Sequence, residues 1–410
     1  MHDAVMSAFA CMHFQDKSFL QFEKRIDEAM HPENLKQLFD IQAVPEVTQI
    51  RAILDDVDSK QFSPMFKEVL SRLQKEKLLE QYQVLPGLYY GAMDATEYFS
   101  SKKINCSSCL TCEHANGDIT CSHKTLQVAL MHPDLKQVIP LMPEEIRNGD
   151  GTDKQDCEMN AAKRLIPKLR QEHPQLGLIL GGDALFSKQP IIEDVLSNGM
   201  HYLFVAKPDD HEYMMSYIDT IKQLKNVHTF SCKEKNGRIH RYEWANDVPL
   251  NKRKGGIRVN YFSLTIIAIQ KDGSEKITFR SSWVTNLTID KTNVVILSKV
   301  GRCRWKIENE CFNTLKNQGY EVDHNYGHGK NNLAFNIYLL TLIAFLFHQV
   351  FELTDQLYQA CRKKFGSKSH LWETLRTYTK IFVFSSWEML LDFALDPIKY
   401  GPKIYELRSP

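Results

Sequence analysis

Three carboxylates in this sequence have the neighbours and spacing that a divalent-metal site requires. Asp94 follows the apolar run LYYGAM and Asp183 follows LGLILGG, and ligand groups in open α/β sheets lie just beyond the carboxyl ends of such strands. Glu308 follows Arg304 by four residues in RCRWKIENECFNTLK, which puts both on one helix face. Carboxylate oxygens suit two Mg²⁺ ions about 3.5–4 Å apart, which activate the attacking and leaving oxygens of a phosphodiester.

Each acid taken alone has a simpler interpretation. An Arg/Glu pair four residues apart on a helix is often a surface salt bridge worth about 0.3–0.5 kcal/mol, and an aspartate after a strand is often a turn or cap residue. Glu310 lies about 120° around the same helix from Arg304, which leaves Glu308 as the candidate ligand. The combination of three acids favours the metal site.

The elements that must position these acids follow from periodicity. Residues 1–84 repeat apolar residues at three- and four-residue spacing, typical of helices, whereas 85–225 alternate short apolar runs with amphipathic segments. Residues 226–300 are β-rich, 301–350 contain the predicted catalytic helix and the end of the core, and 351–410 are helical. The predicted fold class is α/β, with one sheet flanked by helices.

Three segments together resemble the motifs of the DDE transposases of bacterial insertion sequences. They are YYGAMDATEYFSS, GGDALFSKQP and RCRWKIENECFNTLK, and the resemblance covers Leu85 to Lys330. It implies an RNase H-like catalytic core of the superfamily that includes retroviral integrases, with a β-rich insertion between the second and third acids. The insertion is similar to that of the cut-and-paste subgroup, whose third motif contains Tyr, Arg, Glu and Lys. The N-terminal helices would be a DNA-binding domain, followed by the core and C-terminal helices.

The resemblance also implies roles. Asp94, Asp183 and Glu308 would be the catalytic acids that hold Mg²⁺, or Mn²⁺ in its place, and Arg304 and Lys316 would contact phosphate. The reaction would be hydrolysis of phosphodiesters at the transposon ends, followed by transfer of the 3′-hydroxyl into target DNA. The expected assembly is a homodimer on DNA.

The third motif departs from the family pattern at two positions. Gly301 stands where the family has Tyr, and Leu315 stands where it has Lys, so the lysine falls one position later, at Lys316. On a continuous α-helix, Lys316 would be rotated by about 80° from Glu308. Its role is therefore less secure than that of Arg304.

Two other functions fit the same residues. One is an RNase H-like nuclease that cuts DNA without strand transfer, and the other is a non-catalytic, transposase-derived DNA-binding protein. The presence of all three acids weighs against the second. Joined 3′-hydroxyl products would exclude the first, and metal-dependent nicking would exclude the second.

DNA contacts must come from local basic patches, because the net charge is only +1. One patch in the β-rich block consists of Lys252, Arg253, Lys254 and Arg258, and another beside the third motif consists of Arg302, Arg304 and Lys306. A solvated face is the usual alternative for such runs. If these patches bind the DNA backbone, affinity will fall with salt.

A second metal site is suggested by a Cys-rich segment. Cys106, Cys109 and Cys112 have the spacing CxxCxxC, and His114, Cys121 and His123 follow. The predicted ligands of a structural Zn²⁺ are Cys106, Cys109, Cys112, Cys121 and His123. An unmetallated loop is the alternative. Beyond the third motif, His324 and His328 are expected to contact DNA or to support their loop.

The rest of the sequence indicates a reducing compartment. Ten cysteines without a signal-peptide pattern favour thiols or a metal cluster over disulfides, so a cytoplasmic, nucleoid-associated protein is expected. The segment Leu333–Leu353 approaches the ~20 apolar residues of a membrane span. It contains Asn336, His348 and Glu352, which favours a buried core helix and no membrane association.

Overall fold

The computed structural model describes residues 1–30, 33–148, 155–235, 237–253, 255–324 and 326–400. Its strands are β1 Gln83–Leu85, β2 Leu88–Ser101, β3 Leu110–Glu113, β4 Ile119–Met131, β5 Ile139–Pro140, β6 Glu144–Ile146, β7 Gly177–Gly182, β8 His201–Val205, β9 His228–Lys233, β10 Ile239–Pro249, β11 Arg258–Ile269 and β12 Glu275–Thr285.

The helices before and within the sheet are α1 His2–His13, α2 Phe19–Asp27, α3 Glu33–Phe39, α4 Val47–Asp56, α5 Ser63–Lys75, α6 Glu158–Glu172, α7 Gln189–Ser197 and α8 Glu212–Gln223. After β12 come α9 Val294–Cys303, a π-helix Ile307–Phe312, α10 Asn313–Asn317, α11 Leu333–Thr354, α12 Gln356–Phe365, α13 Lys368–Ile381 and α14 Trp387–Leu395.

In the described residues all twelve strands belong to one sheet, in the order β3-β4-β2-β7-β8-β12-β11-β10-β9, with β1 on β2 and β5 and β6 on β4. β2 is antiparallel to β4 and parallel to β7, and β7 is parallel to β8. Parallel neighbours need crossover connections, which α6 and α7 provide. The predicted α/β class with a helix-flanked sheet is confirmed at this level.

Close packing beneath the sheet centre depends on Gly181. A Cβ at this position would overlap the ring of Tyr90 on the neighbouring strand, and Tyr90 is itself almost fully buried. Tyr90, Ala92 and Asp94 share one face of β2, because side chains alternate along a strand. Because Gly181 has no side chain, the Tyr90 ring can pack on the same face of β2 as Asp94.

The β-rich block extends this sheet. Strands β9 to β12 form an antiparallel meander, and β12 pairs with β8 of the α/β part. The predicted KDGSEK hairpin joins β11 to β12, where Gln270 and Ser274 share a backbone hydrogen bond and Gly273 adopts φ +83°. The block thus lies in sequence between α8 and α9 but in space at one edge of the sheet.

The first and last helices pack together. The ring of His13 in α1 lies 5.3 Å from Trp372 and 5.0 Å from Trp387. Asn34 donates hydrogen bonds to the backbone carbonyls of Thr379 and Phe382 at 2.7 Å each. Residues 1–84 therefore share a helical core with the C-terminal helices, while the functional boundaries assigned from sequence stay predictions.

Helix α11 crosses the middle of this core. It is long and apolar enough to span a membrane, but 83% of its apolar window is buried inside the protein. The buried side chain of Asn336 donates to the carbonyls of Leu54 and Val57 at 2.7 and 2.8 Å. The helix is the buried core element expected from its polar residues, and no membrane is indicated.

Candidate active site and metal centre

The structure places Asp94 within a strand rather than after one. β2 continues through ATEYFSS to Ser101, and Asp94 pairs with Gln127 of β4, so the predicted strand end is wrong. The parallel pairing with β7, however, stops at Ala92 and Gly181. Continuing this register by two residues puts Asp94 opposite Asp183. The two aspartates therefore lie side by side where the parallel part of the sheet ends.

Asp183 follows β7 directly, as its sequence position predicts. Its Oδ1 accepts a hydrogen bond from the backbone N–H of Leu185 at 2.9 Å, which stabilises the turn toward α7. The second carboxylate oxygen is not needed for that bond. Asp183 can thus serve both as the turn residue and as a metal ligand.

Arg304 connects the first acid to the third. Its Nη1 lies 3.0 Å from Asp94 Oδ2 and its Nη2 lies 2.8 Å from Glu308 Oε1. The Arg304 and Asp94 side chains are 22% and 21% exposed, whereas Glu308 is 52% exposed. The arginine therefore joins the central strand to the segment after α9, which is more than the isolated surface pair that spacing alone allows.

The acids act on one another electrostatically. Burial raises the pKa of Asp94 to about 6, against the lowering effects of Arg304 and the Ala95 N–H, and the carboxylates of Glu308 and Asp183 raise it further. A cluster of negative charge that Arg304 offsets in part is suited to a cation. Because every donor is a carboxylate oxygen, the site fits Mg²⁺ or Mn²⁺ rather than a softer metal.

This electrostatic strain predicts a stability effect. A carboxyl group whose pKa is raised on folding binds its proton more tightly in the folded state, so stability falls as pH rises from about 4 to about 6. Without divalent metal at pH 7, Asp94→Asn is expected to raise the free energy of unfolding by about 1–3 kcal/mol.

Thermal unfolding in EDTA at pH 7 and pH 4 measures this effect. The gain should shrink at pH 4, where Asp94 is protonated in the folded chain and nearly half protonated in the unfolded chain. Asp219→Asn, at an exposed site in α8, is the matched control and should be neutral. A variant no more stable than wild type at pH 7 would contradict the expectation.

A fourth carboxylate lies near the site and was not among the predicted residues. Glu158 is the first residue of α6, and its pKa is raised by burial and then by Asp183, while Lys124 lowers it. Acidic residues are common in the first turn of a helix, where they interact favourably with the macrodipole. The sequence therefore offered no signal that this one faces Asp183.

The segment predicted as one catalytic helix is not a continuous α-helix. Helix α9 ends at Cys303, and Glu308 lies in the π-helix Ile307–Phe312 that precedes α10. An i→i+5 turn contains one residue more than an α-helical turn. Lys316 therefore lies at about the same angle around the helix axis as a residue seven positions after Glu308 would in a continuous α-helix. This rotation is close to two full turns, so both side chains lie on nearly the same face. The rotation of about 80° expected for an ideal helix does not apply.

Lys306 does not belong to the predicted basic patch. It is 9% exposed, and its Nζ donates hydrogen bonds to the backbone carbonyls of His132, Pro133 and Leu135 at 2.8, 2.8 and 2.6 Å. These residues follow β4. Lys306 thus holds the start of the π-helix against the sheet.

Replacing Lys306 by Met should leave these carbonyls without their donor. We expect a loss of about 2–4 kcal/mol in the free energy of unfolding, measured by thermal unfolding. Lys299→Met, on the exposed face of α9, is the control with the same change in charge and size. Equal melting temperatures for the two variants would show that the Lys306 contacts contribute nothing.

Trp283 leaves no room for a side chain at position 301. A Cβ on Gly301 would lie 2.6 Å from the Trp283 indole Nε1, and Trp283 is buried in β12, stacked on Phe262. The tryptophan fills the space beside α9. Any larger residue at position 301 would displace it.

The predicted basic residues are spread over two places. Lys252 and Arg253 are exposed in the loop between β10 and β11, and Lys254 lies outside the described residues. The neighbouring Asn251 donates to Gln189 Oε1 at 2.8 Å, so this loop docks at the start of α7. Arg302 is exposed, with its guanidinium 4.8 Å from the Phe279 ring centre.

Four soft ligand atoms converge at a separate place in the core. The side chains of Cys106, Cys109, His123 and His328 have ligand atoms within 4.8 Å of one another. Three of the five predicted zinc ligands are in this group, and the predicted Cys112 and Cys121 are not. His328, expected only to contact DNA or support its loop, completes the set.

Comparison with known proteins gives one family match. Residues 150–346, just under half of the chain, match a family model described as a transposase DDE domain. The matched range contains Asp183 and Glu308 and begins after Asp94. No curated protein matches the chain.

Proposed function

We propose that the chain is an insertion-sequence DDE transposase, which cleaves phosphodiesters at transposon ends and transfers the 3′-hydroxyl into target DNA. Residues 150–346 match a family model described as a transposase DDE domain. The observation that carries this proposal is the convergence of three acids. Asp94 and Asp183 lie just beyond the last parallel pair of β2 and β7, and their carboxylates interact electrostatically. Arg304 connects Asp94 to Glu308.

The sheet supports an RNase H-like core for this reaction. β2 lies between antiparallel β4 and parallel β7, and β8 follows β7 in the same direction. This order puts the first acid on a central strand and the second on its parallel neighbour. The β-rich block 226–300 is then the insertion that separates the second acid from the third.

Asp94, Asp183 and Glu308 would hold Mg²⁺, with Mn²⁺ as the substitute. Bound divalent metal supplies Lewis-acid polarisation of the scissile phosphate and a more acidic water. Glu158, whose carboxylate acts on Asp183, adds negative charge on the α6 side of the site. Glu308 is 52% exposed and Asp94 is 21% exposed, so DNA would approach from the side of Glu308.

Arg304 and Lys316 would supply the positive charge toward phosphate. Arg304 now pairs with two carboxylates, and a planar guanidinium is suited to bidentate binding of phosphate oxygens. Lys316 Nζ lies 3.5 Å from Asp323, a part-exposed pair that a phosphate can replace. Because the π-helix compensates for its extra residue, Lys316 is a stronger candidate than its spacing suggests.

The DNA partners would be transposon ends and target DNA, held by a homodimer. Lys252, Arg253 and Lys254 in the β10–β11 loop and Arg302 on α9 would contact the backbone. The loop contacts the first residue of α7, the helix that follows Asp183. It therefore lies next to the segment that carries the second acid. We infer a cytoplasmic, nucleoid-associated protein.

Incubation of the purified chain with DNA carrying both element ends tests this function. With Mg²⁺ we expect nicked ends and joined 3′-hydroxyl products, and with EDTA neither. Nicking without joined products would identify an RNase H-like nuclease instead. Binding without metal-dependent nicking would identify a non-catalytic DNA-binding protein.

A further inference from the structure

The Cys/His group has the dimensions of a tetrahedral metal site. The Sγ atoms of Cys106 and Cys109 are 3.7 Å apart, and His123 Nε2 lies 3.5 and 3.4 Å from them. His328 Nε2 lies 3.6 Å from Cys109 Sγ and 3.1 Å from His123 Nε2. Tetrahedral bonds of about 2.3 Å to sulfur and 2.0–2.1 Å to nitrogen require edges of about 3.8, 3.6 and 3.3 Å.

Neither a disulfide nor hydrogen bonding alone accounts for this group of side chains. A disulfide needs an S–S distance of about 2.05 Å, and all ten cysteines, each within the described residues, are free thiols. Hydrogen bonding alone explains the group poorly, because thiols are weak donors and the two Nε2 atoms of His123 and His328 face each other. Four soft donors around one buried point are instead the ligand type and number of a structural Zn²⁺ site.

The outer nitrogen of His328 is hydrogen-bonded, and that of His123 faces a carboxylate beyond hydrogen-bond distance. His328 Nδ1 lies 2.9 Å from the carbonyl of Gly329, which accepts only from an N–H. His123 Nδ1 lies 3.6 Å from Glu145 Oε1, and Tyr98 donates to that carboxylate at 2.8 Å. The hydrogen bond to Gly329 leaves His328 Nε2 as the lone-pair nitrogen, directed at the cluster, which is the usual support of a metal-bound histidine. Glu145 lies on the outer side of His123, where a carboxylate supports a metal-bound ring.

We propose that Cys106, Cys109, His123 and His328 bind one structural Zn²⁺. Four protein ligands complete a tetrahedron and leave no open position for substrate, so the site is structural rather than catalytic. The site is distinct from the carboxylate cluster, which has only oxygen donors. The inference does not depend on the proposed transposase activity.

The position of the ligands indicates what the metal would hold. Cys106 and Cys109 precede β3 and His123 lies in β4, whereas His328 lies between α10 and α11. A few residues later, Asp55 accepts the backbone N–H groups of Lys330 to Leu333 at 3.0–3.2 Å. The part of the loop directly before α11 would thus be held by the metal at His328 and is held by Asp55 at the residues that follow.

The test is the metal content of the full chain by elemental analysis after purification without chelator. We expect one zinc per chain in the wild type and its loss in Cys109→Ser and His328→Ala. Cys112→Ser and Cys121→Ser remove the same thiol from the same hairpin and should keep the zinc. His328→Cys, which offers a three-cysteine, one-histidine set, should also keep it and change the visible spectrum of the Co²⁺ form.

A second measurement covers variants that fail to fold. Stripping wild-type protein with a strong chelator should lower its melting temperature, and added Zn²⁺, but not Mg²⁺, should restore it. Wild-type protein without stoichiometric zinc that takes none up would overturn the proposal. So would loss of zinc in Cys112→Ser or Cys121→Ser to the same extent as in Cys109→Ser.

Discussion

Replacing Asp94, Asp183 or Glu308 by the corresponding amide is expected to reduce Mg²⁺-dependent strand cleavage by about a thousandfold or more. The amide keeps the shape of the side chain but removes the charge that binds the metal, and the metal contributes several kcal/mol to phosphoryl-transfer catalysis. The measurement is the single-turnover cleavage rate on end DNA. All three variants should still bind that DNA, because phosphate contacts come from other residues.

Glu310→Gln is the matched control for this series. Glu310 lies in the same π-helix as Glu308, and its substitution changes charge in the same way without touching the Arg304 bridge. Its cleavage rate should stay close to that of the wild type. Retained cleavage in any of the three acid variants would remove that residue from the proposed site.

Arg304→Ala should cause the next largest loss, about a hundredfold in cleavage rate, because in the proposed function it removes a charge that would contact phosphate. It should also change the pH profile. Arg304 lowers the pKa of Asp94, which is about 6, so its removal raises that pKa further. Asp94 must be ionised to bind metal, and the acid limb of the rate profile should therefore move to higher pH. Higher Mg²⁺ should recover part of the rate.

Arg304→Lys separates charge from geometry. A lysine keeps one positive charge near Asp94 but cannot reach two carboxylates as a planar fork does. We expect the acid limb to return toward its wild-type position while the rate stays reduced. An unchanged pH profile in Arg304→Ala would show that the 3.0 Å contact with Asp94 does not control its ionisation.

The sequence predicted the sheet and its flanking helices because apolar periodicity reports local burial. It failed at Asp94, since LYYGAM and ATEYFSS form one strand. What ends there is the parallel pairing with β7, a non-local property that no local pattern contains. The glutamate, by contrast, was predicted from its spacing to Arg304, and that pair is present.

The metal cluster shows a similar limit. Cys121 shares a strand face with His123 but lies two residues along β4, about 6.6 Å away, while Cys112 is exposed on β3. The fourth side chain of the group is instead His328, which lies 205 residues after His123 in the sequence and contacts it in the folded chain. Local spacing identified Cys106, Cys109 and His123 as members of one group of side chains, but it could not identify His328, which tertiary packing brings to them.

The π-helix was predictable in part. Lys316 follows Glu308 by one residue more than the family motif, and a one-residue excess within a helix is accommodated by an i→i+5 turn. In a continuous α-helix, the extra residue would rotate Lys316 away from the face of Glu308, which argued against a role for this lysine. If the extra residue is instead an insertion within the helix, it indicates the π-helix that this segment adopts.

The separation of the four Cys/His side chains along the chain also sets an order during synthesis. Cys106, Cys109 and His123 leave the ribosome with the first strands, whereas His328 emerges after the whole segment that bears Glu308. N-terminal parts of a chain generally fold first during synthesis. The early three side chains are an incomplete ligand set, so the cluster closes only when the last part of the core arrives. Completion of the Cys/His group by His328 would therefore be a late step in folding. It would attach the segment that follows Glu308 to strands that formed much earlier.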